Sequence, residues 1–346
     1  LEDKLFGSID KDKGQAQFLL SVTGIENLKT VEGENWKNFY GRSYLGYGLL
    51  EQGITNRKYI SQGTRLTLRL LAKKTIDKEC SDYLVLALKA LGCFGGAGAK
   101  ARKGFGSLSL ESLKIDEIEK WCNPKDLSEL AVQIKELLGM MEMKKESLSV
   151  ADVNYPEYTA FSNFAKVKIL KVGDEPTKLL DEIGKELLRY RSYGSTYQSP
   201  HIHKLPWGEK AEQNFAADHD LMYELMNRQS KIAASHPKRV VFGLPHNYFF
   251  KSTFKKGSIE SVKFKRRSSP LFIHVHSLKS GKYAIVATLL PARFLPEGEK
   301  IKIVDEGNSR NHDRKIEHKV DQNVSYKDIE KFLDRDAFKD GVVVFP

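Results

Sequence analysis

Leu66, Leu68 and Leu70 alternate with Arg65, Thr67 and Arg69, a period of two that predicts a half-buried strand over 64–70. Residues 17–22 (Q-F-L-L-S-V) read as another strand. The period then lengthens. Leu84, Leu88 and Leu91 form a helical stripe, with Ser81-Asp82 as its cap and Gly92 as its stop. A short strand over 107–110 is expected next. Residues 126–138 predict an amphipathic helix with Leu127, Leu130, Ile134, Leu137 and Leu138 on one side, ended by Gly139. The stretch 140–160 is polar, is broken by Pro156, and reads as a linker between domains at 1–139 and 161–346. Beyond it come alternation at 166–169, a helix over 177–191 with Leu180, Ile183 and Leu187 inward, and a loop over 192–216. Strands are expected at 238–242, 260–265, 271–276, 283–290 and 300–304, and the hydrophilic segment 305–320 is expected to be exposed. No repeat of 20–50 residues recurs, so the pattern describes two α+β domains and not a solenoid.

Candidate chemistry concentrates between the halves of the first domain. Residues 92–106 read G-C-F-G-G-A-G-A-K-A-R-K-G-F-G, six glycines in fifteen positions with Lys100, Arg102 and Lys103 among them. Gly95, Gly96 and Gly98 let another backbone approach closely, the three cations suit phosphate oxygens, and Gly104 and Gly106 set the return into the sheet. Phe105 either stacks on a base or plugs the core. Gly96-x-Gly98-x-x-Ala101 matches the dinucleotide fingerprint in letters only, because a helix precedes it and no Gly-Lys-Ser/Thr closes it as a P-loop. A tight connection whose cations face water is the plainer alternative.

Composition narrows the partner. The 346 residues are 40% hydrophobic and 29% charged, as in a soluble globular protein, and the net charge of +11 favours nucleic acid over membrane. Cys80, Cys93 and Cys122 lack C-x-x-C spacing, which fits a reducing cytoplasm better than a disulfide framework or a cysteine zinc site. No apolar run approaches the ~20 residues of a membrane span, and no signal peptide is read. The chain opens Leu1-Glu2-Asp3-Lys4 and is expected to be the remainder of a longer protein.

Two further clusters mix cations with aromatics, as single-stranded nucleic acid requires. They are Lys263-Phe264-Lys265-Arg266-Arg267 and, at the end of a helix, Arg189-Tyr190-Arg191-Ser192-Tyr193. Partnering a helix dipole, or lining the wet face of a strand, explains the same cations without a ligand. His201-x-His203, Asp218-His219-Asp220 and His274-x-His276 lack a third and fourth ligand at metal spacing, and H-E-x-x-H is absent. They read as satisfied or solvated histidines, and no metal or other cofactor is expected. His246, Tyr248 and Lys251 keep a metal-free acid–base ribonuclease open, and His246 and Asn247 are polar candidates for RNA contact.

In this order the strings resemble a family. Residues 95–108 resemble the glycine-rich loop of the RAMP superfamily of CRISPR proteins, most of all the family of first Cmr subunits of type III-B RNA-targeting complexes. Leu5-Phe6-Gly7-Ser8, Tyr44-Leu45-Gly46-Tyr47-Gly48, Phe242-Gly243-Leu244-Pro245-His246-Asn247-Tyr248, residues 266–275 and residues 289–296 extend the likeness along most of the chain. The family's opening strand and tryptophan- and arginine-rich helix are absent before Leu1. The resemblance implies two tandem ferredoxin-like (RAMP/RRM-like) domains, the first lacking its N-terminal strand and helix. It also implies a cytoplasmic, non-enzymatic antiviral subunit that binds CRISPR RNA and single-stranded target RNA and docks other RAMP subunits. A RAMP endoribonuclease and a mainly protein-docking subunit are its rivals.

Overall fold

The computed structural model describes residues 2–9, 14–73, 75–143, 154–196, 202–227, 236–250, 252–305, 314–319 and 324–346. The first half runs α1 (Glu2–Phe6), β1 (Phe18–Glu26), β2 (Thr30–Val31), α2 (Tyr40–Leu45), β3 (Leu50–Glu51), β4 (Ile54–Thr55) and β5 (Tyr59–Ile60). It continues with β6 (Arg65–Ala72), α3 (Lys78–Phe94), β7 (Ser112–Ile115), β8 (Ile118–Cys122) and α4 (Leu127–Met140). The second half opens with β9 (Lys166–Gly173), α5 (Pro176–Arg191), α6 (Ala216–Asn227), β10 (His246–Phe250), β11 (Lys255–Ser261) and β12 (Leu271–Ser277). It closes with β13 (Tyr283–Leu289), β14 (Lys300–Asp305), β15 (Arg314–Lys319), α7 (Lys327–Leu333) and β16 (Val342–Phe345).

The organising sheet has the order β16-β9-β13-β12 and is antiparallel throughout. With α5 and α7 as crossovers, this is the split β-α-β-β-α-β order. Strands inserted after α5 and after β13 form a second antiparallel sheet, β10-β11-β14-β15. In the first half β1 pairs only with β6 among the described residues.

Both faces of the organising sheet are covered. Leu170, Ile273, Ile285 and Ala287 pack with Leu179, Leu180, Ile183 and Leu187 of α5. On the opposite face Val167, Ile169, Ala284 and Val286 meet Phe94 of α3 and Leu130, Ile134 and Leu137 of α4. The first half thus covers the sheet face that an isolated β-α-β-β-α-β unit leaves open. A second contact joins α2 to α5, where Gly41 and Gly184 bring the two backbones together. A Cβ at Gly41 would overlap the Asp181 carbonyl oxygen, and one at Gly184 would overlap the Gly41 carbonyl. The Arg42 amide then donates to Asp181 Oδ1 at 2.9 Å.

Several expectations are corrected. The α3 helix starts at Lys78 and not behind Ser81-Asp82, because the Asp77 carboxylate accepts from Cys80 N at 2.8 Å and caps it there. Gly92 does not stop it; its missing side chain makes room for Leu110, and the helix runs on to a cap at Gly95. Gly139 likewise lies inside α4, which ends at Met140. Residues 238–242 form a 3-10 turn and not a strand, since Asp218 accepts from Lys238 N and Arg239 N at 2.9 and 2.8 Å. The strand expected at 260–265 sits earlier, at β11, and the β7–β8 hairpin was unexpected. Part of the hydrophilic segment 305–320 is the strand β15, while 306–313 and 320 lie outside the described residues, as do 144–153 of the linker.

Candidate nucleic-acid interface

The glycine-rich loop is built against the outer edge of β12. It is closed on itself by Ala97 N donating to Gly106 O at 2.8 Å. Gly106 has φ of +62°, and a Cβ there would overlap the Ala97 carbonyl, so this position requires glycine. Strand β12 offers every second N–H outward, and the loop takes three in succession. Ile273 N donates to Arg102 O at 3.1 Å, Val275 N to Ser107 Oγ at 3.0 Å, and Ser277 N to Ser109 Oγ at 2.8 Å. Residues 107–110 therefore do lie beside the sheet, but they satisfy it with hydroxyls and do not add a strand.

His274 and His276 complete the attachment. Both are buried, at 1% and 0% exposure, on the β12 face turned toward α3. Their Nδ1–H groups donate to Gly95 O at 2.7 Å and Gly92 O at 3.1 Å. Burial brings their pKa values down to about 4 and about 3, with His274 pushing His276 further. They are core histidines that hold the loop through Nδ1 alone, and their buried Nε2 atoms find no partner among the described residues, so the satisfied reading holds for one ring nitrogen of each. Among the described residues no group of three or more His, Cys, Asp or Glu could hold a metal ion. His201 and Lys251 lie outside the described residues. His219 stacks on Tyr193, with ring centroids 3.6 Å apart.

The cations of the loop separate into two groups. Gly98, Ala99 and Lys100 form its exposed tip, and Lys100 has φ of +62°. Burial and then Arg266 make the Lys100 ammonium easier to deprotonate, and burial and then Arg267 act in the same way on Arg102. Residues from two distant segments, 100–102 and 266–267, therefore share one field. Arg102 also works structurally: Nη1 donates to Ser269 O at 2.9 Å and the guanidinium lies 4.6 Å over Phe272. Arg267 Nη1 donates to Thr159 Oγ1 at 2.9 Å, whereas Arg266 is exposed.

Lys103 turns the other way, toward Arg191 at the end of α5. Burial, followed by Arg191, Lys100 and Arg102, brings its pKa down to about 7. His246 lies beside the same group, with Nδ1 3.5 Å from Arg191 Nη2. Its pKa is held well below 6.5 by burial and then by Arg191 and Arg239, so the ring is neutral.

Three of the expected contacts have other surroundings, and a fourth, Asn247, stays exposed. Arg189 is taken by carboxylates, Glu186 and Glu209, and lies 5.7 Å over Trp207. Phe105 stacks on Trp36 at 5.6 Å and 11°, and packs against the main core, which is the plug alternative and not a free stacking face. Asn247 is exposed on β10, opposite Ser258. Gly104 is buried under Leu180 and Ile273, so it serves packing and is not open to a ligand. Arg239, which no motif in the sequence marks, donates to Arg191 O at 3.3 Å and lies 4.7 Å over Tyr248. Standing before Val240-Val241-Phe242, it looks like the polar end of a strand. Phe264, 57% exposed between Lys263 and Lys265, keeps an open aromatic face beside cations.

With this geometry in place, comparison with known proteins adds one finding. Residues 1–109 match the model of the RAMP superfamily, and the matched stretch contains the whole glycine-rich loop. The matched residues make up under a third of the 346-residue chain. No curated protein and no solved structure matches the chain. No helix among the described residues is long and apolar enough to cross a membrane.

Proposed function

We propose that this chain is a non-catalytic RNA-binding subunit of a type III-B (Cmr) CRISPR ribonucleoprotein. In this reading it handles the 3′ part of the CRISPR RNA, helps capture target RNA and docks other RAMP subunits, and its two halves are degenerate tandem ferredoxin-like domains. The observation that carries it is the docked glycine loop. Lys100 at its exposed tip and Arg266 from the turn before β12 share one field. Two segments more than a hundred residues apart in sequence thus present like charge at one seam, the arrangement that a sugar-phosphate backbone neutralises. Phe264 adds a stacking surface nearby in sequence.

The test is the salt dependence of single-stranded RNA affinity in the full chain and in the Lys100→Ala/Arg266→Ala double variant. These two exposed residues are preferred because Arg102 also holds the fold and the Lys103 ammonium is sealed from solvent. Each lost phosphate contact should reduce the log–log slope by about 0.7. An unchanged slope removes the loop tip from the interface and favours a protein-docking subunit. RNA recovered cut, and intact once His246→Ala is introduced, would move the reading to an endoribonuclease.

A further inference from the structure

Beneath the outer cations lies a second group that backbone tracking does not use. Lys103 Nζ and Arg191 Nε are both sealed from solvent and find no hydrogen-bond partner among the described residues. Arg191 is held in place by flat surfaces, 4.4 Å over Phe242 and 5.8 Å over Tyr44. Arg239 joins it through the 3.3 Å bond to Arg191 O. Among the described residues the one carboxylate beside these cations is Asp218, which accepts the amides of Lys238 and Arg239 and lies 3.8 Å from Arg239 Nε. Three cations face one carboxylate, and the neighbouring His246 is neutral.

Buried charge without a counter-charge is costly, and with Lys103 protonated an excess of two positive charges calls for a ligand with two negative ones. An internal phosphodiester carries a single charge and must continue on both sides. A phosphate monoester carries close to two negative charges at neutral pH and three acceptor oxygens, and it needs access from one side only. Guanidinium and ammonium donors suit those oxygens. We propose that Lys103, Arg191 and Arg239 form a seat for one terminal phosphate of an RNA strand, separate from the outer cations that follow its backbone. The RNA as source of that phosphate rests on the function proposed above; the seat itself does not.

The seat carries a proton linkage. Lys103 faces Lys100 and Arg102 from its own loop and Arg191 from α5, and Arg191 in turn faces Arg239 and His246 from the segment beyond α6. No anion among these holds its proton, so the empty seat loses it as pH rises through about 7. A bound phosphate restores the ammonium. Phosphate affinity should therefore be constant just below pH 7 and fall by up to tenfold per unit from pH 7 to 9. The monoester is already a dianion over that range, His246 stays neutral, and Tyr248, raised to about 12 chiefly by burial, does not titrate.

The experiment compares one oligoribonucleotide with a 5′-phosphate, a 3′-phosphate or only hydroxyl ends, with inorganic phosphate alone as a fourth arm, using the full chain at constant ionic strength. The expected result is tenfold or tighter binding for one phosphorylated end, with the pH dependence above, and loss of both in Lys103→Met. That variant removes a charge without breaking a hydrogen bond, so its melting temperature should rise, whereas a purely structural lysine would make it fall. Equal affinity for all ends while RNA still binds overturns the seat and leaves the outer contacts standing. Inorganic phosphate bound without RNA affinity upholds the seat and overturns the RNA source. Lys103→Met that keeps the end preference overturns the assignment of Lys103.

Discussion

Lowering the pH from 6.5 to 4 should destabilise the fold by several kcal/mol, with most of the loss traceable to His274 and His276. Both are buried on β12 and remain neutral until about pH 4 and about pH 3, whereas in the unfolded chain each takes up a proton near 6.5. The sign follows from linkage. Between the folded and unfolded pKa values the unfolded state binds more protons, so stability is full above about 6.5 and declines as pH falls below it. A shift from 6.5 to about 4 corresponds to about 3 kcal/mol for one such group. The Asn double variant, His274→Asn/His276→Asn, keeps an amide donor for Gly95 O and Gly92 O and removes the titration. Denaturant unfolding at pH 7.5, 5.5 and 4.5 should show a lower stability at neutral pH and a much shallower decline toward acid. An unchanged decline in the variant would place the acid sensitivity elsewhere.

The second large effect is expected at Gly41. This glycine sits where α2 of the first half touches α5 of the second, and an added methyl group would overlap the Asp181 carbonyl oxygen. The obstacle is backbone, which cannot rotate away as a side-chain end would. Gly41→Ala should therefore reach or exceed the top of the roughly 1–3 kcal/mol range for overpacking. It should also weaken the bond from Arg42 N to Asp181 Oδ1. Gly139→Ala is the matched comparison, because Gly139 is exposed inside α4 with nothing within 4 Å of an added Cβ. There alanine should stabilise by about 0.5–1 kcal/mol through helix propensity. Thermal unfolding of the two variants should move in opposite directions, and a drop for Gly41→Ala no larger than a few tenths of a kcal/mol would mean the helices separate freely.

These two glycines also mark where sequence reading succeeds and where it stops. The helices at α4 and α5 were legible because their leucine and isoleucine stripes are buried along their whole length. Glycine was ambiguous: Gly92 and Gly139 looked like helix stops, but one makes room for Leu110 and the other is simply exposed helix. Nothing local distinguishes a packing glycine from a capping one, since the partner is distant in sequence. The loop cations were legible through their local density among glycines. Their division into an outer and an inner group was not, because it depends on Arg191 and Arg239. Arg189 and Arg191 show the point most clearly. Two residues apart on a helix they point roughly 200° from each other, so one meets Glu186 and Glu209 while the other enters the seam beside Lys103.

The attachment of the loop to β12 has a consequence in time. Its bonds join residues 168 and 184 positions apart, from Ser107 to Val275 and from Gly92 to His276. At ordinary translation rates of about 5–20 residues per second, roughly 10–40 seconds separate synthesis of the loop from synthesis of the strand that shapes it. Until then the glycine segment lacks the strand edge to which it is attached. Under the function proposed above, the competence to grip RNA arises only once β12 is made, well over a hundred residues after the loop itself.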